Sequence, residues 1–148
     1  MGLYFLDTSA LVKLYVQEPG TERLLHLVGN SSTDRFAVLS LSVVEARSAI
    51  RRRQRAGDID PDAADLILDA LQKHMESRFI RQAVNDSLID GALELIDRYA
   101  LRAYDAVQLA ACLVLRAINP QGTTFVCSDR KLLEAARSEK LAVLDPTA

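Results

Sequence analysis

The sequence is poor in the side chains that usually betray a function at first sight. Its 148 residues include no tryptophan, four tyrosines, four phenylalanines, two cysteines and two histidines. Tyr4, Tyr15, Tyr99 and Tyr104 are too scattered to form a base-stacking platform, so core or interface roles are expected for them. Cys112 and Cys127 form no CxxC pair and read as small buried hydrophobes of a reduced protein, not as a disulfide or a zinc site. His26 and His74 stand alone on separate helical stretches, where surface or boundary positions are expected rather than metal ligation. No GxxxxGK[ST] string occurs, which removes the P-loop nucleotide enzymes.

Charge of one sign is also lacking. With 18 basic and 20 acidic residues the formal charge is −2, so any binding to nucleic acid must rest on a local patch. No apolar run approaches a membrane span. The opening residues read as a core strand, not as a basic stretch followed by an apolar one and a cleavage site, so a cytoplasmic location is expected. Repeats, low-complexity stretches and linkers are missing as well. What remains is a chain that is 49% hydrophobic and 26% charged, which fits a single domain over residues 1–148 with a sizeable core.

The apolar pattern predicts strands separated by helices. Strands are expected at 3–6, 36–39, 79–84, 123–127 and 141–144, and helices at 8–16, around Leu24 to Val28, and at 42–56, 61–76, 87–99, 104–118 and 129–138. Pro19-Gly20 and Asn119-Pro120-Gln121-Gly122 break the chain, Gly57 stops the third helix, and Asp60-Pro61 supplies an N-cap and a first-turn proline for the fourth. Such alternation implies an α/β fold with a parallel sheet covered on both faces. In such sheets sites form beyond the carboxyl ends of the strands, where Asp7 and Asp129 both fall.

Four acids sit at or near helix starts in apolar surroundings: Asp7, Glu45, Asp105 and Asp129. Each has a purely structural explanation. Asp7 and Asp129 serve as N-caps, Glu45 completes a Ser-x-x-Glu capping box with Ser42, and Asp105 is a first-turn acid favoured by the helix dipole. Taken together they suggest a shared counter-charge, because a lone carboxylate in such surroundings is costly to desolvate. Helix N-termini would relieve their mutual repulsion by roughly 0.3–1 kcal/mol each.

The strings FLDTSALVKLY, LSVVEARSAI, LRAYDAVQLAACL and FVCSDRKLLEAA resemble the four acidic blocks of the PIN-domain ribonucleases, in particular the VapC-type toxins of type II toxin–antitoxin pairs. The blocks come in the family's order and span nearly the whole chain. The resemblance implies a three-layer α/β/α sandwich around a parallel, about five-stranded sheet. It makes Asp7, Glu45, Asp105 and Asp129 the acidic pocket, with Thr8 or Ser9 as a neighbouring hydroxyl. One departure stands out: many relatives carry Thr or Ser two residues before the fourth acid, where this chain has Cys127, with Ser128 next door.

A carboxylate set suits Mg²⁺ or Mn²⁺ better than Zn²⁺, and such ions promote phosphodiester hydrolysis. Asp7 and Asp105 are expected as direct ligands. Glu45 and Asp129 are expected to act through water, complete a second site or orient the nucleophile. Arg47, Arg51, Arg52, Arg53 and Arg55 crowd one helix; Arg47 and Arg51, with Thr8 and Ser9 beside Asp7, are the candidate RNA contacts, and a solvated arginine face paired with Asp58, Asp62 and Asp65 is the alternative. The expected partners are RNA, a small antitoxin and a second copy of the chain, the last through an apolar hairpin face with Val43, Val44, Ile50, Leu66, Ile67 and Leu71. Two rivals remain open: a PIN-fold binding module without catalysis, and an aspartyl-phosphate phosphatase with Asp7 as nucleophile and Lys131 as charge stabiliser.

Overall fold

A computed structural model describes residues 2–148. The strands are β1 (Leu3–Leu6), β2 (Arg35–Leu39), β3 (Phe79–Gln82), β4 (Thr123–Val126) and β5 (Ala142–Leu144). The helices are α1 (Thr8–Lys13), α2 (Thr21–Gly29), α3 (Ser42–Arg55), α4 (Pro61–Ser77), α5 (Asp86–Arg98), α6 (Ala103–Ile118) and α7 (Arg130–Ser138). All strand pairings are parallel, in the order β3-β2-β1-β4-β5, with Leu6 opposite Val38 on one side and Val126 on the other.

The strands are short, and β1, β2 and β5 are mostly apolar because both faces of the sheet are covered. Leu3, Phe5, Ala37, Leu39, Phe125 and Cys127 meet α5, α6 and α7 in one core. Leu6, Val38 and Val126 meet α1, α2, α3 and α4 in another. The rings of Phe5 and Phe125 stack 6.0 Å apart across the central strand pair. These two cores give the three layers that the sequence implied.

Strand order reverses at β1 and β4, where a crevice opens at the carboxyl edge of the sheet. The Asp7 amide donates to the Val126 carbonyl at 3.1 Å, so the first acid is locked to the sheet before the chain turns into α1. Helix punctuation follows the sequence: Asp60 caps α4 with Pro61 behind it, and Gly57 adopts φ 85° just past α3, a conformation that glycine reaches without a Cβ clash.

Three expectations need correction. Helix α1 ends at Lys13 instead of residue 16, because the chain tightens through bonds from Leu14 N–H to Leu11 and from Tyr15 N–H to Val12. The Ser42–Glu45 capping box does not form: Leu41 occupies the N-cap, and the buried Ser42 hydroxyl bonds to Thr8 and Gln108 instead. The apolar face of the α3–α4 hairpin mostly turns inward. Ile50 and Leu71 are fully buried, Val43 and Ile67 pack against the core, and only Val44 and Leu66 are left exposed, at 62% and 72%. Among the described residues no helix is long and apolar enough to cross a membrane.

Candidate active site

The crevice beyond β1 is a cavity of about 490 Å³ whose lining includes Asp7, Glu45 and Asp105, together with Thr8, Ser9, Glu18, Arg52, Arg53, Tyr104 and Gln108. A smaller cleft of about 240 Å³ is lined by Asp105, Asp129, Arg102 and Lys131. Asp105 borders both. Of the four acids named from the sequence, Asp7, Glu45 and Asp105 line the main cavity, while the exposed Asp129 lines only the smaller cleft and is linked to them through Asp105.

Asp7 is the most constrained of them. Its side chain is 5% exposed, and Oδ1 accepts from the Ala10 amide and from the Ser9 hydroxyl, both at 2.8 Å. Burial pushes its carboxyl up to about 6, an effect that the bonds from Ala10, Ser9 and Cys127 only partly offset and to which nearby Asp105 adds repulsion. Capping and a buried charge are thus combined in one residue. Asp105, in the first turn of α6, is 23% exposed and meets Arg102 at 3.4 Å, an arginine that is itself 85% exposed. Asp129 caps α7 through the Leu132 amide at 2.9 Å.

Cys127 fixes the bend that leads into the fourth acid. Its sulfur accepts from the Asp129 amide at 3.2 Å, closing the bend that carries the fourth acid in the manner of a Ser or Thr turn. Burial, reinforced by Asp7 close by, keeps the thiol in its neutral form. Ser128 does not substitute for it, since its Oγ is buried without a hydrogen bond to Asp129.

The basic helix faces the site with a different pair of residues from those singled out in the sequence. Arg52 and Arg53 line the cavity, whereas Arg51 is held by Asp65 at 2.9 Å across the helical hairpin and Arg47 lies outside the lining. Arg53 is steered by Glu18 at 2.7 Å, and Glu18 also binds the buried Lys13 at 3.0 Å. Glu18, Tyr104 and Gln108 join the site without being among the sequence's candidates for it. Gln108 left a trace in the sequence, as a lone polar residue in AVQLAA one turn after Asp105. Glu18 left none, because its partners are fixed only by packing. The histidines stay away from the acids: His74 meets the Tyr15 hydroxyl at 2.7 Å, and His26 bonds to Asn30.

Among the described residues no three carboxylate, imidazole or thiol groups stand close enough to make a ready-built metal cage. The donor chemistry nevertheless fits a hard divalent cation. The facing groups are carboxylates and hydroxyls, and Mg²⁺ is commonly held by one or two carboxylates while keeping several waters. A buried carboxylate such as Asp7, with the partly exposed Asp105 adding repulsion, is the arrangement that such an ion would relieve.

Residues 4–140 match the PIN domain. The chain is 29% identical to Ribonuclease VapC35 of Mycobacterium tuberculosis (strain ATCC 25618 / H37Rv) over 144 residues, 97% of each chain. It is 30% identical to Ribonuclease VapC47 of Mycobacterium tuberculosis (strain CDC 1551 / Oshkosh) over 148 residues, 99% of this chain and 98% of that one. Its fold is similar to that of a chain in a toxin–antitoxin complex from Klebsiella pneumoniae, with a TM-score of 0.65 at 14% identity, covering 99% and 98% of the two chains. With a parallel β3-β2-β1-β4-β5 sheet and a match that runs from residue 4 to residue 140, through all four acids, the chain belongs to the PIN-domain family.

Proposed function

We propose that this protein is an endoribonuclease, dependent on Mg²⁺ or Mn²⁺, that serves as the toxin of a toxin–antitoxin pair in the cytoplasm. The observation that carries the reading is the buried, destabilised Asp7 carboxylate facing a cavity shared with Glu45 and Asp105, with Arg52 and Arg53 in the same lining. Similarity to ribonucleases over nearly the whole chain supports RNA as the substrate.

In this reading Asp7 and Asp105 hold the cation, and Glu45 and Asp129 act through water on either side. The cation, when bound, supplies Lewis-acid polarisation of the scissile phosphate and an acidified water. Ser9 and the Ala10 amide fix the Asp7 carboxylate, so it meets its ligand without reorganising. Arg52, exposed and without an ion pair among the described residues, is placed to take an RNA phosphate; Glu18 holds Arg53 beside it. Thr8 is committed to Ser42 and Gln108, which makes it part of the frame more than a substrate contact.

An active ribonuclease has to be restrained in the cell. A small antitoxin that presents an arginine to the cleft would pair bidentately with the carboxylates and displace cation and substrate. A homodimer is part of the proposal. Val44 and Leu66 on the hairpin and the α5 stripe Ile89, Leu93 and Ile96 are exposed apolar positions that would support it.

Expression of the chain alone in bacteria tests the toxin reading. Growth is expected to stop, to resume with Asp105→Asn at equal protein level, and to resume when the adjacent small reading frame is co-expressed and co-purifies. Unimpaired growth with soluble wild-type protein in several hosts would count against the toxin role.

A further inference from the structure

We propose that Gln108 is a positioning residue for the acidic site: its side-chain amide ties Thr8 to Ser42 and so fixes the mutual placement of Asp7, Glu45 and Asp105. The inference rests on the ribonuclease reading and assigns a role to a residue with no part in the chemistry described above.

Gln108 is 1% exposed and Ser42 is fully buried. Gln108 Nε2 donates to Thr8 Oγ1 at 2.9 Å and to Ser42 Oγ at 3.1 Å, and Thr8 Oγ1 donates to Ser42 Oγ at 3.1 Å. The three side chains thus close a triangle across α1, α3 and α6. Every corner lies beside an acid: Thr8 follows Asp7 directly, Ser42 precedes Glu45 by one helical turn, and Gln108 follows Asp105 by one turn on the same helix face. The Tyr104 hydroxyl stands 3.5 Å from Thr8 at the cavity side of this triangle.

Stability alone does not account for an amide here. Ala106, Leu109 and Ala110 around it are buried, and Gln108 Oε1 is itself buried without a hydrogen bond. An unpaired buried carbonyl destabilises the fold, a penalty that a leucine of similar volume would not incur. Turning the amide over would only exchange which of its two atoms lacks a partner. The directional bonds to two other helices are what leucine cannot provide. Helix starts held in this way keep the acids at a fixed spacing, which cation binding and catalysis need to within fractions of an ångström.

The test uses Gln108→Leu, Ser42→Ala and the double variant. Cleavage kinetics are measured on an RNA oligonucleotide with Mn²⁺, and Mn²⁺ affinity by electron paramagnetic resonance without RNA. Each variant is expected to lose about tenfold or more in kcat per folded molecule and to bind Mn²⁺ several-fold more weakly, as found when groups that orient metal ligands are removed. KM should stay within about twofold of wild type, in contrast to Arg52→Glu, which should raise KM. The double variant should be no worse than the worse single one, because the bonds act as a unit.

Wild-type kcat and Mn²⁺ affinity in the folded variants, or losses that simply add, would overturn the proposal. Should Gln108→Leu fail to fold, Ser42→Ala removes a single hydroxyl and carries the same expectations. A wild type that binds Mn²⁺ but leaves RNA intact defeats the ribonuclease reading, while the affinity comparison still decides the role of Gln108. A wild type that neither binds Mn²⁺ nor cleaves RNA overturns both.

Discussion

Replacing Asp7 by asparagine is expected to remove RNA cleavage and, in the same protein, to raise the melting temperature near pH 8 in the absence of metal. Asparagine keeps the side-chain oxygen that caps α1 through the Ala10 amide, so the helix start survives. What it discards is a buried charge. The Asp7 carboxyl is raised from 3.8 to about 6, chiefly by burial. A folded-state value above the unfolded one means that the folded protein holds its proton more tightly. The associated stability is complete below the ordinary carboxyl value of 3.8 and is lost as pH rises through about 6. At one pH unit per 1.36 kcal/mol, the loss is about 3 kcal/mol once Asp7 is fully ionised. Removing the charge should restore about 2 kcal/mol, or roughly 4–8 °C at this chain length. Cleavage should fall by about 10²–10³-fold or more, the scale for deleting a group that stabilises developing charge. A variant that is both less stable and still active would show Asp7 to be an ordinary helix cap.

Divalent cations should stabilise the wild type, and more strongly as pH rises. Ligand carboxylates must be ionised, so proton and cation compete for Asp7. Near pH 5 the proton occupies it and Mn²⁺ should have little effect. Near pH 8 the site is charged and strained, and Mn²⁺ at about a hundred times its dissociation constant should add about 2.7 kcal/mol. Melting curves at the two pH values, with and without Mn²⁺, give the answer directly. An equal shift at both, or a shift that survives in a variant with all four acids amidated, would show that the ion binds elsewhere.

The sequence was legible where local chemistry decides. Asp60-Pro61 and Gly57 mark helix boundaries that the structure keeps, and the apolar run Leu3–Leu6 becomes the central strand, paired with β4. Asp7 and Asp129 were identified both as caps and as site residues, and they serve as caps here while facing the carboxyl edge of the sheet.

It was illegible where distant elements meet. Ser42 fits a capping box in the string SVVE, but its hydroxyl is drawn to Thr8 and Gln108 on other helices. The arginines of α3 repeat too densely for the sequence to say which faces inward; Asp65 claims Arg51 and Glu18 holds Arg53, and both choices depend on packing. Ile50, Ile67 and Leu71 of the hairpin look available for a partner in the sequence, which does not show that the core already covers them.

Cleavage of RNA at this cleft should depend on the acids and on a divalent cation that they would hold. The most direct measurement is cleavage of a mixed RNA pool by purified protein, with Mn²⁺ and with chelator, alongside Asp105→Asn shown to be folded by circular dichroism. Discrete RNA fragments are expected from the wild type with Mn²⁺ only, and intact RNA from Asp105→Asn under every condition. Equal cleavage by wild type and Asp105→Asn, or cleavage undiminished by chelator, would contradict it.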